Sequence, residues 1–193
     1  MRQRTSPPEE HPRRMKKIII AALLGGFILF VWSFIAHLPP VGTAGLRVLP
    51  AAQNDAIAAA LGGAMKERAL YILPGSDMVK FMRGPAAIVA FNPRPAELAI
   101  GGSPFATFLI LEVICDILAA LCGAIIAINL SPALGFWPRV FVLMTIGVLA
   151  TIDIDASYWN WYAFPTRHLL AQFVDHAGGW FFAGLVLSKI TKA

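Results

Sequence analysis

The chain has 193 residues, 58% of them hydrophobic and 14% charged, with a mean hydropathy of +0.67. Ordinary soluble domains carry roughly 25% charge, so a water-soluble fold of this size would be short of polar surface. Nor does the net charge of +5 imply a nucleic-acid partner: six of the sixteen basic residues (Arg2, Arg4, Arg13, Arg14, Lys16, Lys17) precede the first hydrophobic run and act as an orientation signal.

In chain order, residues 1–17 form a Pro- and Arg-rich basic tail, expected to be disordered and cytoplasmic. Ile18 to Ala36 follows as a charge-free, predominantly apolar run of nineteen residues. That run exceeds the apolar region of a secretory signal, about 7 to 15 residues, and Ala36-His37-Leu38-Pro39-Pro40 offers no small-x-small cleavage site, which predicts a retained first transmembrane helix. Residues 37–104 carry turn and cap signals rather than the pattern of a tether. Asn54 or Asp55 can cap a helix from Ala56 to about Arg68, weakened at Gly62-Gly63. Tyr71-Ile72-Leu73 runs into the turn former Pro74-Gly75-Ser76-Asp77, and Ala86 to Phe91 reads as a strand closed by Asn92-Pro93-Arg94-Pro95. The expectation is a small α+β extracytoplasmic cap that leans on the bundle or on a protein partner for stability.

The second span is predicted over residues 105–128, the third over 137–157 and the fourth over 168–188, leaving 189–193 as a cytoplasmic tail. The third is short, since Val140 to Ile152 gives thirteen charge-free residues, about 20 Å at about 1.5 Å per residue. Pro138 suits a first helical turn, and Arg139 is expected to snorkel to the headgroups. The fold class is thus an all-α membrane protein, a four-transmembrane-helix bundle with its cap between helices 1 and 2. Lys and Arg then fall on the inner side of every short segment, with both termini cytoplasmic.

Charged side chains within a span cost about 2.5 to 3.5 kcal/mol and are tolerated where they meet protein, water or an ion. Glu112 and Asp116 stand at i and i+4 on helix 2, in a stripe with Cys115, Ala119 and Gly123, while helix 4 carries His168, Gln172, Asp175 and Gly179, with His176 to one side. Both helices enter from the outer face, and Glu112 and Asp175 each lie about 10 Å down, so they are expected to meet. His37, Asp153 and Asp155 add to an outer half rich in acids and imidazoles. Two readings follow: a buried hydrogen-bonded network that fixes helix register, or a metal site on Glu112, Asp116, Asp175 and His168. The paired Glu-x-x-His signature of di-metal bundles is absent, and no cofactor is assigned. Cys115 and Cys122, seven apart on one helix, read as small buried thiols, and Gly25-Gly26 and Gly178-Gly179 as packing contacts.

Between the third and fourth spans, Trp159, Asn160, Trp161 and Tyr162 form an aromatic ledge suited to the headgroup region or to a docking partner. Leu24-Gly25-Gly26, Phe30-Val31-Trp32-Ser33 with His37, Tyr71-Ile72-Leu73-Pro74-Gly75 and, above all, Ser157-Tyr158-Trp159-Asn160-Trp161-Tyr162-Ala163-Phe164-Pro165 resemble a family of uncharacterised bacterial inner-membrane proteins. The resemblance runs from helix 1 to the C-terminus. It implies a bacterial plasma membrane and a similar helical architecture, and it carries over no catalytic residue. Two functions remain in view: a noncatalytic scaffold or accessory subunit, and a membrane enzyme or metal-binding protein using the outer cluster.

Overall fold

The computed structural model describes residues 10–75, 77–94 and 104–192. Its elements are α1 (Glu10–Ala36), α2 (Ala51–Ala64), β1 (Ala69–Leu73), α3 (Met78–Arg83), β2 (Ala87–Phe91), α4 (Pro104–Asn129), α5 (Phe136–Ala150), a π-helical turn (Thr151–Asp155), α6 (Ala156–Tyr162) and α7 (Thr166–Lys192). The chain divides into a helical unit, Met1–Gly45 with Leu109–Ala193, and a second unit, Leu46–Phe108.

Three helices are long and apolar enough to cross a membrane: His11–Ala36, Phe105–Asn129 and Phe136–Tyr162. The first corrects the expected boundary. Helix begins by Glu10, so the basic residues Arg13, Arg14, Lys16 and Lys17 lie on helical turns rather than in a disordered tail; residues 1–9 lie outside the described residues. The third is longer than its charge-free core suggested, because α5, the π turn and α6 join end to end into about 40 Å of helix. The fourth expected span falls within α7, whose composition does not reach that of the other three.

The polarity of α7 is consistent with its position. Ala177, Gly179, Trp180, Ala183, Gly184, Leu187, Ser188 and Thr191 are all buried, so α7 is the most enclosed helix of its unit. Helices pack in lipid without a hydrophobic drive between them, so approach depends on small residues. At Gly147 an added Cβ would lie 2.2 Å from the His176 carbonyl oxygen, which sets α5 directly against the α7 backbone. At Gly26 it would lie 2.6 Å from the Ile117 Cα, setting α1 against α4. Gly178 seats the Trp32 ring, whose Nε1 donates to the Asp175 carbonyl at 2.9 Å. α1 and α5 run antiparallel to α4 and α7, around a core of Ala21, Leu29, Ala120, Ala124, Ala127, Leu143, Trp180, Ala183 and Leu187.

Arg139 overturns a second expectation. It is 2% exposed and does not snorkel. Its guanidinium donates to the Ala127 carbonyl at 2.6 Å, to Leu130 and Ser131 carbonyls at 3.4 and 3.5 Å, and to Thr191 Oγ1 at 2.9 Å. The last carbonyls of a helix have no intrahelical donors and carry partial negative charge, so a buried cation there is held by the groups it satisfies. The same side chain therefore joins the ends of α4 and α7 to the start of α5.

In the second unit, β1 and β2 pair antiparallel with Tyr71 opposite Val89, close to the two predicted strands. α2 starts at Ala51 and stops at Ala64, about five residues earlier at its start than expected, and Asn54 caps nothing: its amide donates back to the Leu49 carbonyl at 2.8 Å. Gly62 and Gly63 lie in its last turn rather than in mid-helix. α3, not anticipated, is capped by Asp77, whose carboxylate accepts from Val79 and Lys80 amides at 3.0 and 3.2 Å. Pro95 lies outside the described residues.

Removing the Arg139 cations from these carbonyls leaves several buried acceptors unpaired. Arg139→Met is expected to lower unfolding free energy by about 2 to 3 kcal/mol, read as a fall in the thermal midpoint of detergent-solubilised protein, with Lys16→Gln unchanged as an exposed control.

Candidate functional site

The acids and imidazoles expected at one end of the bundle do assemble there, though not with the expected membership. Asp175, on α7, has a side chain 13% exposed; it stands 4.0 Å from His37 Nδ1 and within electrostatic reach of His176, Glu112 and Asp155. Asp116 on α4 is in reach of both Glu112 and Asp175. The cluster thus draws on α1, α4, the π turn and α7.

The π turn explains how Asp155 arrives. A turn closed by i to i+5 bonds is wider than an α-turn, so residues four apart keep nearly the same facing. Gly147 and Thr151 face α7, and the widened turn carries Asp155 round to the same side. Thr151 Oγ1 donates to the Gly147 carbonyl at 3.1 Å and lies 3.3 Å from His176 Nδ1. His176 Nδ1 lies 3.2 Å from Asp155 Oδ2. That approach is close but is not aligned as a hydrogen bond, because Asp155 Oδ2 has no hydrogen-bond partner among the described residues.

His37 is oriented from its own helix. Its Nδ1 lies 2.8 Å from the Ser33 carbonyl, which can only accept, so Nδ1 is the donor there and turns the ring edge toward Asp175. Neither His37 nor Asp155 nor Thr151 belonged to the principal expected set. Rim histidines and acids were visible as a gathering at one end, but nothing in a period of 3.6 residues signals a π turn.

Three expectations are corrected. Glu112 is exposed on the flank of α4, so it borders the cluster instead of pointing into the bundle centre. Cys115, placed with it, is also exposed, as is Cys122; both are free thiols, on the outward face of a helix whose buried side is Ala120, Gly123, Ala124 and Ala127. His168 and Gln172 do not join a carboxylate among the described residues. They pair with each other, His168 Nε2 to Gln172 Nε2 at 3.3 Å, and His168 packs on Phe164 at 5.6 Å and against Gly45. The stripe separates because His168 and Gln172 sit two turns and one turn nearer the start of α7 than Asp175 and His176.

His168 instead continues the aromatic ledge. Tyr162, Tyr158 and Phe164 stack in series at 5.8 and 5.5 Å, with Tyr158 in the middle, and Phe164 passes the contact to His168. Ala163 takes the left-handed conformation, φ 54°, that ends α6, and Trp159 Nε1 donates to Thr166 Oγ1 at 3.1 Å across the turn. Trp159, Asn160, Trp161 and Tyr162 are all exposed, Trp161 at 70%.

Among the described residues no group of three or more His, Cys, Asp or Glu side chains converges to hold a metal ion. No protein-family model, curated protein or solved structure matches the chain.

A double-mutant cycle separates the paired network from loose proximity. Asp155→Asn and His176→Ala, singly and together, are expected to show a coupling of about 1 kcal/mol in thermal unfolding; additive effects would mean the two groups do not act as a pair.

Proposed function

We propose that this chain is a noncatalytic multi-pass membrane protein, a scaffold or accessory subunit, in which the carboxylate and imidazole cluster fixes helix register. The observation that carries this reading is reciprocity: His176 meets Asp155, His37 meets Asp175, and Trp32 holds the Asp175 backbone, each across two helices. Groups so paired position helices against one another in a medium that offers no water as an alternative partner.

The protein resides in a bacterial inner membrane, with four crossings and both termini cytoplasmic. Support comes from the collection of Arg13, Arg14, Lys16, Lys17, Arg139, Lys189 and Lys192 at one end of the bundle, with the aromatic ledge at the other. α7 crosses as an enclosed helix, its polar stripe covered by α1 and α5. The resemblance of the Ser157 to Pro165 segment to bacterial inner-membrane proteins supports the same location.

The second unit lies outside the cytoplasm and contacts a protein partner. Its composition supports this: α2 buries none of its residues, and Val48, Leu70, Val79 and Met82 are between 59% and 90% exposed. A two-stranded sheet is marginal alone, and β1 and β2 each keep an unpaired edge among the described residues.

Elemental analysis of detergent-purified protein is expected to find metal well below one equivalent, and Asp175→Ala to lower thermal stability. Stoichiometric metal lost in Glu112→Ala or Asp175→Ala would replace this reading with a metal-dependent one. Purification from native membranes in mild detergent is expected to retain a stable protein partner, released when Val79 and Met82 are changed to Ser.

A further inference from the structure

At the end of the bundle opposite the carboxylate cluster, the first turns of α1 meet the last turns of α4 and α7 around a cleft of about 330 Å³. Its lining is Arg13, Arg14, Lys17, Ile128 and Thr191. We propose that this cleft binds a phosphate-bearing anion at the cytoplasmic membrane surface; the proposal rests on the membrane reading above for its location and on the cleft itself for its chemistry.

Arg13, Arg14 and Lys17 fall within little more than one turn at the start of α1, and all three line one concave site. Arg14 is preorganised: its guanidinium donates to Asn129 Oδ1, and the Asn129 amide donates to the Ile125 carbonyl at 2.7 Å. Arg presents a planar set of donors matched to phosphate oxygens, and Lys17, half-buried, adds a point charge.

The end of α4 would ordinarily repel an anion, because its last carbonyls point that way. Arg139 removes that obstacle. It donates to the Ala127, Leu130 and Ser131 carbonyls and to Thr191 Oγ1, so a fourth positive charge stands directly behind a hydroxyl that lines the cleft. Ile128 supplies an apolar wall beside the cations, fitting a group that is charged at one end and carbon-rich at the other. Basic pockets between membrane helices hold phospholipid headgroups by this chemistry, and free phosphate offers the same oxygens.

The test uses the full chain in detergent, with saturable thermal stabilisation as the readout and three probes: dioleoylphosphatidylglycerol, dioleoylphosphatidylcholine and inorganic phosphate. Stabilisation by phosphatidylglycerol at lower concentration than by the other two identifies a lipid ligand; stabilisation by inorganic phosphate in lipid-free detergent at least as strong identifies a soluble one. In either case Arg13→Gln, Arg14→Gln and Lys17→Gln are each expected to weaken binding about fivefold, and Lys16→Gln, outside the cleft, to leave it unchanged. Far-UV circular dichroism verifies that each single variant retains its helix. Wild-type binding by all three folded variants, an equal loss in Lys16→Gln, or no stabilisation of the wild type by any probe would overturn the proposal. Recovery of the chain in the soluble fraction after carbonate extraction, with phosphate binding intact, would defeat the membrane reading and spare the cleft.

Discussion

The close approach of α7 to its neighbours is the constraint on which the rest of this structure depends. Lipid tails are as apolar as leucine, so helices gain nothing from merely hiding hydrocarbon, and association must come from packing and from polar groups that find each other. Gly147 lets α5 reach the backbone of α7, Gly178 and Gly179 admit the Trp32 ring from α1, and Gly123 admits Trp180 toward α4. Because these contacts leave no room for a side chain, they also fix which residues can meet beyond them. His176 reaches Asp155 and Thr151 because its own backbone carbonyl rests against Gly147.

Two polar regions at opposite ends follow from that frame, and they differ in kind. At one end, acids and imidazoles from four elements share a partly enclosed space in which His176 stands against Asp155 while Glu112, Asp116 and Asp175 crowd one another. At the other, Arg139 is sealed within the protein while Arg13, Arg14 and Lys17 remain accessible around it. The buried cation neutralises helix-end carbonyls; the others line the cleft. A single chain thus separates a structural use of charge from a receptive one along its length.

Much of this was legible in the residues. The first two apolar runs gave helices of membrane-crossing length because hydrophobic length decides that outcome, whereas the short third reached it only through the π turn and α6, and the fourth lies in a helix less apolar than the other three; the two strands followed from their turn signals. The gathering of acids and histidines at one end was legible too, since depth along a helix is set by rise. Which of them touch was not. Facing depends on crossing geometry, so Glu112 and Cys115 turned outward although their spacing matched Asp116, and His168 and Gln172 went to the ring stack although they share a stripe with Asp175. Arg139 was misplaced for a related reason: a lone cation near a helix start suggests a surface residue, and only the folded position of Ala127 and Thr191 gives it buried acceptors. α3 escaped notice because six residues are too few to show a period.

The widened turn at Thr151–Asp155 has one more consequence. It acts as a phase shift within an otherwise continuous rod: everything downstream is rotated about the axis relative to what a uniform helix would give. The row begun by Val140, Leu143 and Gly147 runs on through Thr151 to Asp155 and ends there, since α6 buries none of its residues. Along this rod the covering changes from one buried face in α5 to none in α6, whose indoles and phenols are open on every side.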